Sequence, residues 1–295
     1  MKLTYHSVEE LVFAASSSGK KISQIVLEQQ AEDMELSLSQ VYQSMDKNFE
    51  VMLESVEGGM DKNLKSSSGL SGGSAAKMKE AVDQGRNHYG RLFGTALSMA
   101  LAVAEYNSSM GRIVAAPTAG SCGVLPAALI SVMKEYKIPR ETIVMSLFTA
   151  SAIGMVIARC ASISGAEGGC QAEVGSASAM AAAALCEIFD GTPDMVSHSC
   201  AIALKNILGL VCDPVAGLVE VPCVKRNAMG VTNAFTASEL ALAGITSTIP
   251  ADEVIGAMKR IGQQMSSSLK ETAEGGLAAT PTGCRLCRQI FGEEN

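Results

Sequence analysis

Small apolar residues fill long stretches of this sequence, and the clearest example is the run SASAMAAAALCEIF at residues 176–189. Aromatic residues make up only 4% of the chain and Trp is absent, whereas 47% of the residues are hydrophobic. The core must therefore be built from Ala, Leu, Ile, Val and Met. Small side chains at this density suit closely packed helices better than a β-sandwich, which requires aromatic and β-branched strands. We predict an all-α fold with at most a few short strands, around residues 112–116 or 218–223.

Apolar residues at helical spacing indicate where the helices lie. The stretch Ser7-Val8-Glu9-Glu10 is typical of a helix start, with a hydroxyl at the N-cap and Glu10 three positions later. Segments rich in Gly or Pro, at 164–175 and 212–223, are predicted as loops. We expect a single domain over 1–295, with a helical N-terminal region at 1–65 and a core region at 90–280. The predicted helices begin near 7, 22 and 37–39 and then cover 92–106, 124–136, 141–161, 176–189, 201–210, 233–244, 252–266 and 269–274.

Charge and segment length argue against nucleic-acid and membrane partners. The formal net charge is −7, and phosphate binding needs clustered Lys and Arg. The apolar stretch 143–158 is interrupted by polar residues and is shorter than the roughly 20 residues that span a bilayer. We predict a buried helix there. Residues 1–6 do not resemble a signal peptide, and nine cysteines without such a signal are typical of a reducing compartment, so we expect a cytoplasmic protein.

Two loops run directly into apolar helices, at residues 118–123 (TAGSCG) and 165–175. Neither matches a dinucleotide or P-loop motif, which argues against nucleotide binding. Helix N-termini stabilise anions and thiolates, so two converging ends would suit a carboxylate or a metal cluster. A third loop, SSSGLSGG at residues 66–73, reads either as a flexible linker or as a small-anion nest.

Three of the nine cysteines stand in loops with unusual neighbours: Cys170 follows two glycines, Cys212 precedes Asp-Pro and Cys223 follows Pro. Their spacing is not that of a compact ferredoxin motif. On spacing alone, a three-thiolate metal site, catalytic thiols and inert core residues all stay open.

The other cysteines give weaker signals. Cys160, Cys186 and Cys200 lie in apolar helical contexts typical of small buried residues. Cys122 belongs to the loop 118–123 and could lie near a site without being a ligand. The pair Cys284 and Cys287 reads as a mobile C-terminal segment, half of a zinc ribbon or a redox pair.

Taken together, several motifs resemble the α subunit of the iron–sulfur-dependent L-serine dehydratases. The likeness covers nearly the whole chain and is strongest from about 105 to 280, and the motif containing Cys212 and Cys223 is highly specific. The stretches that carry it are SMGRIVAAPTAGS at 109–121, SGAEGGCQAEVG at 164–175, LGLVCDPVAGLVEVPC at 208–223, RNA at 226–228 and EGGLA at 274–278.

The resemblance implies that Cys170, Cys212 and Cys223 hold a [4Fe–4S] cluster whose open iron helps to convert L-serine to pyruvate and ammonia, a step of serine degradation that feeds gluconeogenesis. It also implies an all-helical catalytic domain and a β partner with an ACT-like fold, in a heterodimer or higher assembly. The family's β portion carries a Ser-Ser-Ser-His-Thr type loop, and Ser66-Ser67-Ser68-Gly69 lacks its His. Single-chain relatives end on a Cys that can occupy the open iron, and Cys284 falls near that position but out of register.

Candidate site residues follow from the motifs. Backbone N–H groups of Thr118, Ala119, Gly120 and Ser121, together with Asn107, are candidates for binding the substrate carboxylate. Ser121, Asn107 and Lys225 are the candidate catalytic residues. The polar residues beside the cysteines, namely Glu167, Gln171 and Lys225, could tune the cluster or transfer protons. The general base is unassigned and could lie on the partner.

Three alternatives stay open. A pyridoxal-phosphate dehydratase performs the same net reaction, but Lys77, Lys134 and Lys205 lack the expected phosphate-binding context. A non-catalytic iron–sulfur sensor or assembly protein would also use the three thiols. A helical protein with inert thiols is the third alternative, and anaerobic iron and sulfide analysis would separate it from the others.

Overall fold

The computed structural model describes residues 5–292, so most of the N-terminal segment compared with a signal peptide lies outside the described residues. The described residues are mainly helical, which confirms the all-α prediction. Their thirteen α-helices are α1 (Val8–Ser18), α2 (Ile22–Asp33), α3 (Leu38–Gly59), α4 (Ser74–Asp83), α5 (Arg91–Ser108), α6 (Val124–Tyr136), α7 (Arg140–Cys160), α8 (Gly165–Gly168), α9 (Ser176–Ile188), α10 (Pro193–Lys205), α11 (Cys223–Leu242), α12 (Ala251–Gln264) and α13 (Pro281–Phe291).

Neither candidate strand forms. Within residues 5–292 the only β-type pairing is a single parallel bridge between Cys212 and Lys270. The segment 218–223 folds back on itself instead, because the Glu220 N–H donates to the Leu218 carbonyl and the Val215 N–H donates to the Val221 carbonyl. The segment 112–116 is irregular and has no extended neighbour with which to pair.

Helix α9 is the centre of the fold. All thirteen of its residues are buried, and α6, α7, α10 and α11 pack around it. Its Ala and Ser side chains allow close approach, and glycines on the neighbours shorten the distance further. A Cβ at Gly154 of α7 would lie 2.9 Å from the Met180 sulfur, and one at Gly230 of α11 would lie 3.3 Å from the Ser178 hydroxyl oxygen. The small-residue run therefore packs as predicted.

Helix α7 is, among the described residues, the one helix long and apolar enough to cross a membrane by length and composition alone. Most of its apolar residues are buried, and Ile143, Phe148, Ile153 and Ile157 are fully buried against the rest of the core. The predicted buried helix is confirmed.

The N-terminal helices join the core through buried polar contacts. Ser7 caps α1 as predicted, since its hydroxyl accepts the Glu10 N–H at 3.0 Å. Glu187 of α9 is buried and accepts hydrogen bonds from the Ser23 N–H at 3.2 Å and from the Thr149 hydroxyl at 2.7 Å. This one carboxylate connects α2, α7 and α9, and burying it without such donors would be costly.

Several element boundaries differ from the prediction. Helix α11 begins at Cys223, ten residues before the predicted start, and α10 ends at Lys205 instead of residue 210. Helix α4 was not predicted. The predicted helix at 269–274 does not form, because Glu271 and Ala273 adopt left-handed conformations (φ 65° and 59°) that end any helical turn. The C-terminal segment is an ordered helix, α13, whose start is capped by the Thr280 hydroxyl.

Candidate active site

The three loop cysteines come together at the helix ends around α9. Cys170 immediately precedes a π-helical turn (Gln171–Gly175) that leads into α9, Cys212 lies in the loop after α10, and Cys223 is the first residue of α11. All three are buried, with exposed fractions of 3%, 3% and 8%. Burial raises the pKa of Cys170 to about 11 and that of Cys223 to about 12. The pKa of Cys212 is raised by burial first and then by the negative charges of Glu173 and the other two thiols.

The space beside Cys212 exists because residue 165 is a glycine. A Cβ there would lie 2.8 Å from the Cys212 sulfur and 3.0 Å from a carboxylate oxygen of Glu173. Any larger residue would displace the thiol or the carboxylate. This explains the glycine at the start of α8.

A buried ion pair fixes the cysteine loop to α11. Arg226 donates to Asp213 at 2.8 Å and to the Val211 carbonyl at 2.7 Å, and it also donates a hydrogen bond to Cys170. The guanidinium is thus the cation that faces the thiols. Arginine suits this position because it presents several donors in one rigid plane.

Asn227, one turn after Cys223, connects α11 to the loop 118–123. Its side-chain N–H₂ donates to the Gly120 carbonyl at 2.8 Å and to the Cys223 carbonyl at 2.9 Å, while its oxygen accepts the Gly123 N–H at 2.8 Å. The amide therefore sets the distance between the loop predicted to bind substrate and a predicted cluster ligand.

We expect Asn227→Ala to destabilise the fold by about 3 kcal/mol, since the buried Gly123 N–H and Gly120 carbonyl lose their partner. Asn227→Asp keeps the acceptor for Gly123 but places a buried carboxylate against the Gly120 and Cys223 carbonyl oxygens, so at neutral pH it should destabilise the fold at least as much as Asn227→Ala. Urea unfolding of both variants measures the difference. Equal stability of Asn227→Ala and wild type would contradict this account.

Hydroxyl groups extend from the loop 118–123 toward the cysteines. The fully buried Ser121 hydroxyl lies 3.1 Å from that of Thr118, and Thr118 donates to the carboxylate of Glu173. The Gly165 N–H donates to the same carboxylate. Burial raises the pKa of Glu173, and the negative charge of Glu271 raises it further.

The structure brings most of the predicted site residues together. Asn107, at the end of α5, donates to the Ala119 carbonyl at 3.4 Å, so it borders the loop 118–123. Lys225 and Glu167 are exposed and take no part in the hydrogen bonds of the site. Gln171 is buried and contacts backbone groups of Gly168, Met258 and Gly209, which makes it a packing residue between α8 and α12.

The loop 66–73 is fixed in place, so the flexible-linker interpretation is wrong. The buried carboxylate of Glu220 accepts the Ser68 hydroxyl at 2.7 Å and the Ser71 hydroxyl at 2.6 Å. Just beyond the loop, buried Glu105 accepts the N–H groups of Ser74 and Ala75 at the start of α4. The carboxylate of Glu105 thus occupies the N-terminus of α4. Through Glu220, the loop 66–73 is joined to the segment 212–223.

A C-terminal segment closes over Cys212. The Cys212 N–H donates to the Leu269 carbonyl at 2.8 Å, and the Glu271 N–H donates to the Cys212 carbonyl at 2.7 Å. Further along, the Leu277 N–H donates to Asp213 at 2.8 Å. A Cβ at Gly276 would lie 2.5 Å from the same carboxylate, and its φ of 59° also favours glycine. These contacts account for the EGGLA motif.

Sequence reasoning missed three residues of the site: Glu173, Arg226 and Asn227. All lie inside stretches that the motifs contain, but their contacts join segments far apart in the chain. The one available signal was the presence of polar residues in otherwise apolar helix starts next to cysteines.

Comparison with known proteins decides the family. The family model described as serine dehydratase alpha chain matches residues 17–278. This chain belongs to that family. The "Probable L-serine dehydratase, alpha chain" of Bacillus subtilis (strain 168) is 51% identical over 98% of this chain and 96% of its own length. The "L-serine dehydratase, alpha chain" of Peptoniphilus asaccharolyticus is 41% identical over 98% of this chain and 99% of its length.

A longer relative has another organisation. The "L-serine dehydratase" of Streptomyces coelicolor is 37% identical over 96% of this chain, but the match covers 63% of that protein. In this serine dehydratase the region similar to the alpha chain is therefore part of a larger polypeptide. The family resemblance seen in the motifs is confirmed by these comparisons.

Proposed function

We propose that this chain is the alpha chain of an iron–sulfur-dependent L-serine dehydratase, a lyase that converts L-serine to pyruvate and ammonia. Cys170, Cys212 and Cys223 would hold a [4Fe–4S] cluster. The observation that carries the proposal is the convergence of three buried thiols beside the loop 118–123, in a chain whose relatives are named L-serine dehydratases.

The donor set fits such a cluster. Three thiols without a neighbouring His are typical iron–sulfur ligands, and each thiolate binds a different iron. Among residues 5–292 no group of three or more His, Cys, Asp or Glu side chains is placed to hold a single metal ion. Gly165 leaves room beside Cys212, and Arg226 offsets part of the negative charge.

When bound, the cluster would supply an iron without a protein ligand, a Lewis acid that assists departure of the serine hydroxyl. The loop 118–121 with Asn107 would orient the substrate carboxylate. Ser121 would act through Thr118, because its buried hydroxyl bonds to that residue. Lys225 would act only if the partner or substrate reaches the exposed face of α11.

A second chain completes the proposed enzyme. Two relatives that cover this chain almost entirely are named alpha chains, whereas the Streptomyces protein is longer. We propose a β partner with an ACT-like domain, in a heterodimer or higher assembly. We also propose a cytoplasmic location, because all nine cysteines are free and free thiols persist in reducing compartments.

Anaerobic iron and sulfide analysis tests the proposal. We expect about four irons and four sulfides per chain and a brown absorbance, with pyruvate formed from L-serine once the partner chain is added. A chain without iron, or one whose activity depends on pyridoxal phosphate, would refute the proposal. A chain with iron that forms no pyruvate even with its partner would favour the sensor alternative.

A further inference from the structure

The carboxylate of Glu173 lies between the loop 118–121 and the cysteines. Its two protein donors, the Thr118 hydroxyl and the Gly165 N–H, come from these two sides. A Cβ at Gly120 would lie 3.2 and 3.3 Å from the two carboxylate oxygens, and one at Gly165 would lie 3.0 Å from one of them. Glycines therefore flank the carboxylate and leave space beside it.

Within the part of the chain that the structure describes, no cation pairs with this carboxylate. Among residues 5–292 no Lys, Arg or His forms an ion pair with Glu173, and the nearby Arg226 is paired with Asp213. The negative charge of Glu271 acts on this carboxylate and raises its pKa beyond the effect of burial. A partly buried carboxylate without a counter-ion is costly, and a cationic group on a ligand would relieve that cost.

We propose that Glu173 binds the α-ammonium group of the substrate and thereby selects amino acids over hydroxy acids that lack the amino group. This inference rests on the proposed function. The ammonium and carboxylate groups of an α-amino acid share one carbon, so a substrate carboxylate held by the loop 118–121 places the ammonium within a few ångströms of that loop. Glu173 is the carboxylate that the loop itself contacts, through Thr118.

The test uses the chain loaded with iron and sulfide and combined with its partner chain. Initial rates of pyruvate formation give the apparent affinity (KM) for L-serine, which the enzyme turns over, and calorimetry gives the dissociation constant of 3-hydroxypropanoate, which lacks only the amino group, for wild type, Glu173→Gln and Glu173→Asp. Glu239→Gln, an exposed carboxylate of α11, is the matched control. Iron content and unfolding temperature show whether each variant is folded and loaded.

We expect Glu173→Gln to bind L-serine about 30-fold more weakly or worse, as for a truncated buried charge pair, and to bind 3-hydroxypropanoate within about twofold of wild type. Equal weakening of both ligands, or of neither, would overturn the inference. If 3-hydroxypropanoate does not bind to wild type at all, the comparison between Glu173→Asp and Glu173→Gln decides. The Glu173→Asp protein should bind L-serine more tightly than the Glu173→Gln protein, and equal affinities would refute charge recognition. Wild-type protein that holds no iron and makes no pyruvate would instead refute the proposed function.

Discussion

Cys212→Ala should abolish iron binding and serine turnover together. Cys212 is buried at the bottom of the space opened by Gly165, and its loss leaves two thiols where a cluster with one open iron needs three. We expect the brown absorbance to disappear, iron to fall below about one per chain, and pyruvate formation to fall at least 10³-fold, since the electrophile is removed.

The control for this variant is Cys160→Ala, which removes a partly buried thiol outside the site whose sulfur contacts the His6 carbonyl. It should keep full iron content and activity. The apo forms of both variants should unfold within about 1 kcal/mol of the apo wild type, because each substitution removes one sulfur atom. A colourless but fully active Cys212→Ala protein would contradict the assignment of this cysteine as a ligand.

Arg226→Gln should destabilise the chain by about 3–5 kcal/mol, because it leaves the buried carboxylate of Asp213 without its cation. It should also accelerate iron loss in air, since the hydrogen bond to Cys170 is lost. Arg226→Lys should recover only part of the stability, because a lysine cannot reach Asp213, the Val211 carbonyl and Cys170 at once. Urea unfolding and the rate of bleaching measure the two effects separately.

The double variant Arg226→Gln/Asp213→Asn separates charge from hydrogen bonding. Removing both charges should restore stability relative to Arg226→Gln alone, whereas bleaching should stay fast because the donor to Cys170 is still absent. An Arg226→Gln protein that unfolds at the wild-type urea concentration and bleaches at the wild-type rate would show that this network does not stabilise the site.

Local sequence patterns predicted the central helices well. The small-residue run became α9 because Ala and Ser impose close packing, and the helix at 124–136 was found with its bounds. The start of α11 was missed because residues 225–227 are polar and two prolines, Pro214 and Pro222, precede the helix. Its first turn is stabilised by Asn227, which bonds back to the Cys223 carbonyl and across to Gly120. Such a contact between residues 107 positions apart leaves no local pattern.

The candidate site also has one part that local sequence patterns predicted and another that depends on contacts between distant residues. Unusual loop neighbours separated the three cysteines from the other six, and the family motifs then implied a ligand set. The contacts of the residues next to those cysteines could not be predicted from local sequence. Glu173 contacts Thr118, and Asp213 contacts Leu277, and both pairs are far apart in the chain. The fixed loop at 66–73 is a similar case, because its composition is that of a linker and only the distant Glu220 holds it.

The segment that closes over Cys212 also sets an order in biosynthesis. Residues 269–277, which hold the backbone of Cys212 and the side chain of Asp213, leave the ribosome after all three cysteines. Chains fold as they are synthesised from the N-terminus, so the helices around α9 can assemble while the pocket is still uncovered on this side. In a newly made chain the three thiols would thus stay uncovered on this side until the last segment docks, and closure of the site would be the final step of folding.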